Sequence, residues 1–432
     1  MDSLFVSPLK KIKAEIHVPG DKSISHRAVM LGALAKGETV INGFLASADC
    51  LATVECFRKL GVEIERLKDG GPLAIKGKGL KGLKGTKEVL NVGNSGTTMR
   101  LMAGILAGQP FTTKITGDES IQKRPMMRVV KPLREMGASI DGRQENDNIY
   151  APLKISGGNL APIEYELPVA SAQVKSAILL AGLFAKGETV VIEKNQARDH
   201  TERMLEYFGA SLKVTGSGLR VTGGKDFDSK EIDVPGDISS AAFFMVAGLI
   251  VPNSELTIRN VGLNPTRMGI IEVLHRMGAE VEVRDETIIS GEPRGDIVVR
   301  SSELRSTVVQ GEIIPKIIDE IPIIAVAATQ AQGVTEIRGA RELRVKESDR
   351  IKTVCSELKK MGAKIEELED GMIIEGPTKL IGAKIKSYGD HRIAMSMAIA
   401  GLIAEGETTI DDAACIETSF PGFAGIVKKI SQ

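Results

Sequence analysis

The sequence predicts an α/β (α+β) protein of two similar domains and six repeated units, and three observations carry that expectation. The first is a recurring phrase in which a small-residue apolar helix ends, a Gly-Glu-Thr-like turn follows, and a β-branched strand begins. It stands at 34–41, more loosely at 106–115, and again at 184–191, 251–258, 331–337 and 404–410. The second is an interleaved phrase in which a helix ends in Leu, Met or Phe, then Gly-Ala or Gly-Val, then a strand. It stands at Gly61, Gly137, Gly209, Gly278 and Gly362, each glycine read as a left-handed helix terminator. The fifth unit is expected to lack this phrase, with 310–315 in its place. The third is an echo: Val234-Pro235-Gly236-Asp237 repeats Val18-Pro19-Gly20-Asp21 half a chain later.

The phrases recur about every 70 residues, longer than the usual solenoid units, so six units fill the chain. Each has room for two helices and three or four strands, which points to a pseudo-symmetric globular protein rather than an open array. The crossings fall near Pro19 and Pro235. One domain is therefore expected over 1–19 plus 236–432, with the strand Ile16-His17-Val18 belonging to the C-terminal half, and the other over 20–235. No low-complexity linker separates them, so the active site is expected in a cleft between directly joined domains.

The opening stretch, Pro19 to Arg27, sets the pattern for the rest. Pro19 and Gly20 break the incoming strand, and Asp21 or Ser23 caps a helix running to Ala35. Lys22, Arg27, Ser23 and Ser25 then surround a helix N-terminus, whose free N–H groups already favour an anion. Equivalent starts carry Asn94-Ser95-Gly96-Thr97-Thr98-Met99-Arg100, Ser171-Ala172-Gln173-Val174-Lys175, Asp319-Glu320-Ile321-Pro322 and Gly389-Asp390-His391-Arg392. The fourth, at Ser239-Ser240, is polar but uncharged. Capping accounts for Asn94, Ser171 and Asp390. It does not account for Lys22, Arg27, Arg100 and Arg392, because a cation at a helix start is unfavourable by up to about 1 kcal/mol; an anionic ligand does. Lys123 and Arg124, after a strand, and the charge-dense run 341–350 add further cations. The bland alternative for that run is a salt-bridged exposed helix face.

Composition narrows the class. With 56 basic and 56 acidic residues, the chain has no charge excess to hold nucleic acid or a membrane surface. Aromatic residues make up only 3% and Trp is absent, which disfavours base-stacking surfaces. Cys50, Cys56, Cys355 and Cys415 form no zinc-type spacing, and a reduced compartment is the default. The first residues lack a signal-type core, and the apolar runs 177–185 and 241–251 are too short to span a bilayer. A cytoplasmic protein acting on small molecules is expected.

The motifs Pro19 to Arg27, Gly93 to Arg100, Gly117 to Met126, Arg344 to Arg350 and Asp390 to Met395, in that order along the whole chain, resemble those of the EPSP synthases. The resemblance implies two domains of three βαβαββ units each, an inverse α/β barrel. It implies transfer of the carboxyvinyl group of phosphoenolpyruvate to the 5-hydroxyl of shikimate 3-phosphate, with release of phosphate through a tetrahedral intermediate. It also implies a monomer with no cofactor or metal, since Lys and Arg neutralise the phosphates. Carried over by motif, Lys22, Ser23, Arg27, Ser171, Ala172, Gln173, Arg198, Asp319 and Lys346 would hold shikimate 3-phosphate. Lys22, Asn94, Gly96, Arg124, Gln173, Arg350 and Arg392 would hold phosphoenolpyruvate. Asp319 is the implied base, with Glu347 and Lys22 sharing the proton work at the methylene carbon and the departing phosphate. A Glu acting as acid needs a raised pKa, which nearby cations oppose. His26 and His391 read as structural hydrogen bonders.

Two departures stand out. Ala172 occupies a position where many relatives have Ser, and Glu417-Thr418-Ser419-Phe420-Pro421 lacks the Lys that often precedes Phe-Pro. Gly96 leaves room for glyphosate, the inhibitor implied at the phosphoenolpyruvate position. Two other readings share the scaffold. One is a UDP-N-acetylglucosamine enolpyruvyl transferase, which would use a loop Cys absent from 117–125. The other is a phosphometabolite sensor, which need not keep Asp319, Glu347 and Lys22.

Overall fold

In the computed structural model, which describes residues 3–67, 70–216 and 218–431, the chain forms two compact lobes. The N-terminal lobe comprises Gly20–Val234 with Ile289–Glu292. The C-terminal lobe comprises Met1–Pro19, Pro235–Ile288 and Pro293–Gln432.

The N-terminal lobe contains three four-stranded sheets of one topology. The first runs Glu231–Asp233, Lys36–Asn42, Leu73–Lys78, Glu63–Arg66 in spatial order. Its first pair is parallel (Ile232 opposite Ile41) and the others antiparallel (Val40 opposite Ala74, Ile64 opposite Ile75). The sheets centred on Thr112–Thr116 and Glu188–Ile192 repeat this order and these directions. A parallel pair needs a crossover, which a single helix supplies in the second and third units; in the first, whose paired strands lie at opposite ends of the lobe's sequence, the helix before Lys36–Asn42 takes the equivalent place. These helices are Lys22–Leu34, Gly96–Ala107 and Ala172–Gly182. They are buried almost all round, which is why their sequences are apolar without a polar face. Gly104 sits where the second meets the third: an added Cβ would lie 2.2 Å from the Ala177 carbonyl oxygen.

The C-terminal lobe repeats the plan with the helices Ile238–Ile250, Ile321–Thr329 and His391–Gly401. Lys13–His17 lies parallel to Glu255–Gly262 with Ile16 opposite Ile258, so the N-terminal strand completes the fourth sheet. Ser3–Val6 pairs with Thr408–Asp411 and completes the sixth, which has three strands. Each lobe has its own hydrophobic core.

The five terminator glycines all lie in the left-handed region, from Gly278 at φ 79° to Gly137 at φ 102°. One assignment needs correction. Gly362 follows the Arg350–Lys360 helix and precedes Lys364–Glu367, inside the fifth sheet. The fifth unit therefore has the phrase, and the three-stranded sixth unit lacks it.

Candidate active site

In the N-terminal lobe, Asp21 caps the Lys22–Leu34 helix, its Oδ1 accepting from Ile24 N at 2.9 Å. That leaves Lys22 in the first turn, partly exposed, with Nζ 3.2 Å from Asp49 Oδ2. Arg27, one turn on, is buried. Its Nε donates to Thr201 Oγ1 at 2.6 Å, Nη2 to Ser176 Oγ at 2.9 Å and Nη1 to the Ser23 carbonyl at 2.9 Å. Burial brings its guanidinium down to about 10; the Glu202 and Asp21 carboxylates oppose that shift and the Arg198 charge adds to it. His26 is buried, with Nδ1 2.7 Å from Thr53 Oγ1, which lies 2.7 Å from Thr98 Oγ1. Burial, aided by the Lys22 and Arg27 charges, pushes this imidazole well below its usual range, so it serves as a neutral hydrogen bonder.

The second helix start differs from expectation. Ser95, not Asn94, is the cap, accepting from Thr98 N at 3.1 Å. Asn94 is released to the site: its Oδ1 accepts from Arg124 Nη2 at 3.0 Å and its Nδ2 donates to Asp118 at 2.9 Å. Gly96 lies under two guanidiniums, since an added Cβ would come 2.8 Å from Arg100 Nη1 and 3.2 Å from Arg124 Nη1. Arg100 Nη1 donates to Gln173 Oε1 at 2.7 Å, and Gln173 Nε2 donates to Thr97 Oγ1 at 3.1 Å. Gln173 thereby links the second and third helix starts. Ser171 caps the third, with Ala172 half-buried beside it. Lys175, which ends the third helix-start stretch, is fully buried and bound to Glu193 and Glu202.

In the C-terminal lobe the charges interleave. Arg350, which opens the Arg350–Lys360 helix, is 1% exposed and meets three carboxylates. Its Nε donates to Asp390 Oδ2 at 2.8 Å, Nη2 to Glu347 Oε2 at 2.5 Å and Nη1 to Asp319 Oδ1 at 3.4 Å. Burial opposes the Arg350 charge, but Asp390 and Glu347 outweigh it and raise the pKa. Burial alone would raise the Asp390 carboxyl too; Arg350 overrides it and holds Asp390 below the usual carboxylate range. Asp390 also caps its helix through Arg392 N at 2.9 Å. Asp319 Oδ1 lies 3.8 Å from Lys346 Nζ, and its carbonyl accepts from Arg392 Nη1 at 2.8 Å.

The run 341–350 therefore divides. Arg341 and Arg344 pair with Glu369, Asp349 and Glu367, as a solvated salt-bridged surface does. Lys346 and Arg350 turn to Asp319, and Glu347 to Arg350.

Sequence reasoning missed a buried network behind Arg392. Glu320, 1% exposed, accepts from Ser239 Oγ and lies 3.7 Å from Arg392 Nη1. Arg267 Nη2 donates to Ser239 Oγ at 2.5 Å and to Asp237 Oδ1 at 3.1 Å. The fourth helix start is thus charged through its cap, Asp237. The repeated Pro-Gly-Asp was the available signal for that residue; Arg267 had none. Lys429 donates to the Glu15 carbonyl at 2.7 Å. All four thiols are pushed up by burial, Cys56 and Cys355 to about 12 and Cys415 to about 11, so none is a ready nucleophile.

The repeated sheet-and-helix plan recurs in solved structures. NikO of Streptomyces tendae, an enolpyruvyl transferase, superposes with a TM-score of 0.79 over 99% of this chain and 97% of its own, and at 16% identity it shares the fold alone. An EPSP synthase structure from Acinetobacter baumannii is closer in sequence, with a TM-score of 0.89 and 46% identity over 100% of this chain and 98% of that one. The 3-phosphoshikimate 1-carboxyvinyltransferases of Brevibacillus brevis and Desulforamulus reducens are 57% and 56% identical, each over 99% of this chain and over 100% and 99% of their own lengths. The EPSP synthase (3-phosphoshikimate 1-carboxyvinyltransferase) family model matches residues 6–427. The chain belongs to the EPSP synthase family.

Proposed function

We propose that this protein transfers the carboxyvinyl group of phosphoenolpyruvate to the 5-hydroxyl of shikimate 3-phosphate and releases inorganic phosphate. In the addition step the 5-hydroxyl oxygen bonds to C2 of phosphoenolpyruvate, a proton reaches C3, and the hydroxyl proton leaves. In the elimination step a proton leaves C3, the C2–O bond to phosphate breaks, and the double bond re-forms.

Asp319 takes the hydroxyl proton. The observation that most supports this is its placement: one carboxylate oxygen faces both Lys346 and Arg350, at 3.8 and 3.4 Å. Such a fixed carboxylate can accept a hydroxyl proton without reorganising. Glu347, oriented by Arg350, and Lys22 handle the proton at C3 and the leaving phosphate. Arg27, Ser23, Ser171, Gln173, Arg198 and Lys346 hold shikimate 3-phosphate. Asn94, Gly96, Arg124, Arg350 and Arg392 form the phosphoenolpyruvate position, with Gln173 between the two.

The test is phosphate release from phosphoenolpyruvate with either shikimate 3-phosphate or UDP-N-acetylglucosamine as acceptor. Release with the former alone is expected. Release with the latter, or with neither, contradicts the proposal.

A further inference from the structure

We propose that Lys175, a residue outside the substrate-contacting set, is a positioning residue that fixes Arg198 for the phosphate of shikimate 3-phosphate. The proposal rests on the assignment of Arg198 to that phosphate.

Lys175 is 0% exposed within the Ala172–Gly182 helix. Its three N–H donors have three acceptors: Glu202 Oε1 at 2.6 Å, Glu193 Oε2 at 2.8 Å and the Ala197 carbonyl at 3.2 Å. These acceptors bracket one segment. Glu193 follows the Glu188–Ile192 strand, Ala197 lies mid-loop, and Glu202 is in the first turn of the His200–Phe208 helix. Glu193 Oε1 also accepts from Ala197 N at 3.0 Å, so the loop is folded around the ammonium. Arg198 is the next residue.

The clamp also registers two helices. Lys175 meets Glu202, while the adjacent pair, Ser176 and Thr201, lie 2.6 Å apart through their hydroxyls. That hydroxyl pair holds Arg27. Arg27 and Arg198 are close enough to repel, as the Arg27 pKa registers. One ammonium with two carboxylates carries a net negative charge, and Glu202 is among the groups that favour the charged Arg27. The clamp therefore fixes the loop that carries Arg198. A lysine buried only for stability would give no reason for its acceptors to bracket this loop.

The test compares Lys175→Met, Lys175→Arg, the charge-matched double variant Lys175→Met/Glu202→Gln, and Arg198→Met in steady-state kinetics on the full chain. Lys175→Met is expected to raise KM for shikimate 3-phosphate by about tenfold to a hundredfold, with KM for phosphoenolpyruvate changed less than about threefold. Lys175→Arg should recover part of the loss, because it restores the charge. The double variant removes the unpaired buried carboxylate, so it should fold where the single variant does not, and it should keep the selective KM rise. Unchanged KM for shikimate 3-phosphate in folded Lys175→Met or in the double variant overturns the proposal, as does an equal rise in both KM values. If Arg198→Met raises KM for shikimate 3-phosphate and the Lys175 variants do not, only the positioning role is lost. If Arg198→Met leaves it unchanged, the Arg198 assignment falls and the positioning role with it.

Discussion

The two lobes share one construction and differ in how they arrange charge. In the N-terminal lobe, Arg27 is held by two hydroxyls and a carbonyl, Arg124 donates to an amide and a hydroxyl and Arg100 to an amide among their contacts, and Lys22 meets the Asp49 carboxylate. In the C-terminal lobe, Arg350 is held by three carboxylates and Arg392 by a carbonyl with Glu320 nearby. Neutral partners orient a guanidinium without cancelling its charge, which suits a surface that holds anions. Interleaved acids and bases cancel charge but place proton acceptors at fixed points, which suits a surface that moves protons. In the proposed reaction the C-terminal lobe supplies Asp319 and Glu347 for the proton transfers, whereas the N-terminal-lobe residues mainly bind, with Lys22 doing both.

The largest effect should come from the chemical half. Asp319→Asn is expected to lower kcat by about 10²–10⁴, with KM for either substrate changed far less. Steady-state phosphate release measures it, and a loss confined to KM would erase the distinction between lobes.

Next comes stability against pH, where the two lobes should move in opposite directions. Asp390 is depressed in the folded state, so its contribution is present above the ordinary carboxylate value of 3.8 and is lost as the pH falls through the lower folded value. Asp390→Asn should cost about 3–5 kcal/mol near neutrality and progressively less below pH 3.8. Glu202 is raised by burial despite Lys175, so ionising it disfavours folding; that penalty is absent below 4.5 and grows as the pH rises through the folded value. Lowering the pH from neutrality toward 4.5 should therefore relieve the N-terminal lobe. Calorimetric Tm values of Asp390→Asn and Glu202→Gln against pH test both signs. Parallel slopes would remove the contrast.

Gly96→Ala should weaken glyphosate inhibition by about tenfold while raising KM for phosphoenolpyruvate less. The added methyl meets Arg100 and Arg124 through the far ends of side chains that can shift. Equal losses in an inhibition assay would show that the methyl acts only by displacing Arg124.

The smallest effect should be Glu320→Gln. It keeps the acceptor for Ser239 but removes the charge beside Arg392, so KM for phosphoenolpyruvate should rise by about threefold to tenfold with KM for shikimate 3-phosphate unchanged. A Tm loss with both KM values intact would make Glu320 a core residue only.

What the sequence disclosed was local. Asp21, Ser171 and Asp390 cap within three residues of themselves, and Gly61 or Gly362 ends a helix through its own φ, so these features can be read from a short window. The recurrence of such windows exposed the six units. The partners of the charges were not local. Arg100 finds Gln173 73 residues away, and Arg350 finds Asp390 40 residues away. Lys175 reads as no more than the end of a helix-start stretch, because nothing in Val174-Lys175-Ser176 reveals that Glu193 and Glu202 converge on it. Asn94 was misread as a cap for a smaller reason: Ser95 is equally able, and the loop geometry decides between neighbours.

The division of labour is tested most directly by equilibrium titration of shikimate 3-phosphate into Arg27→Met and Asp319→Asn, without phosphoenolpyruvate. The account predicts that Arg27→Met weakens binding by about tenfold to a hundredfold, the loss of charge-assisted hydrogen bonds, while Asp319→Asn, whose amide oxygen still accepts a hydrogen bond from the substrate, binds within about threefold of the parent. Equal weakening in the two variants would contradict it.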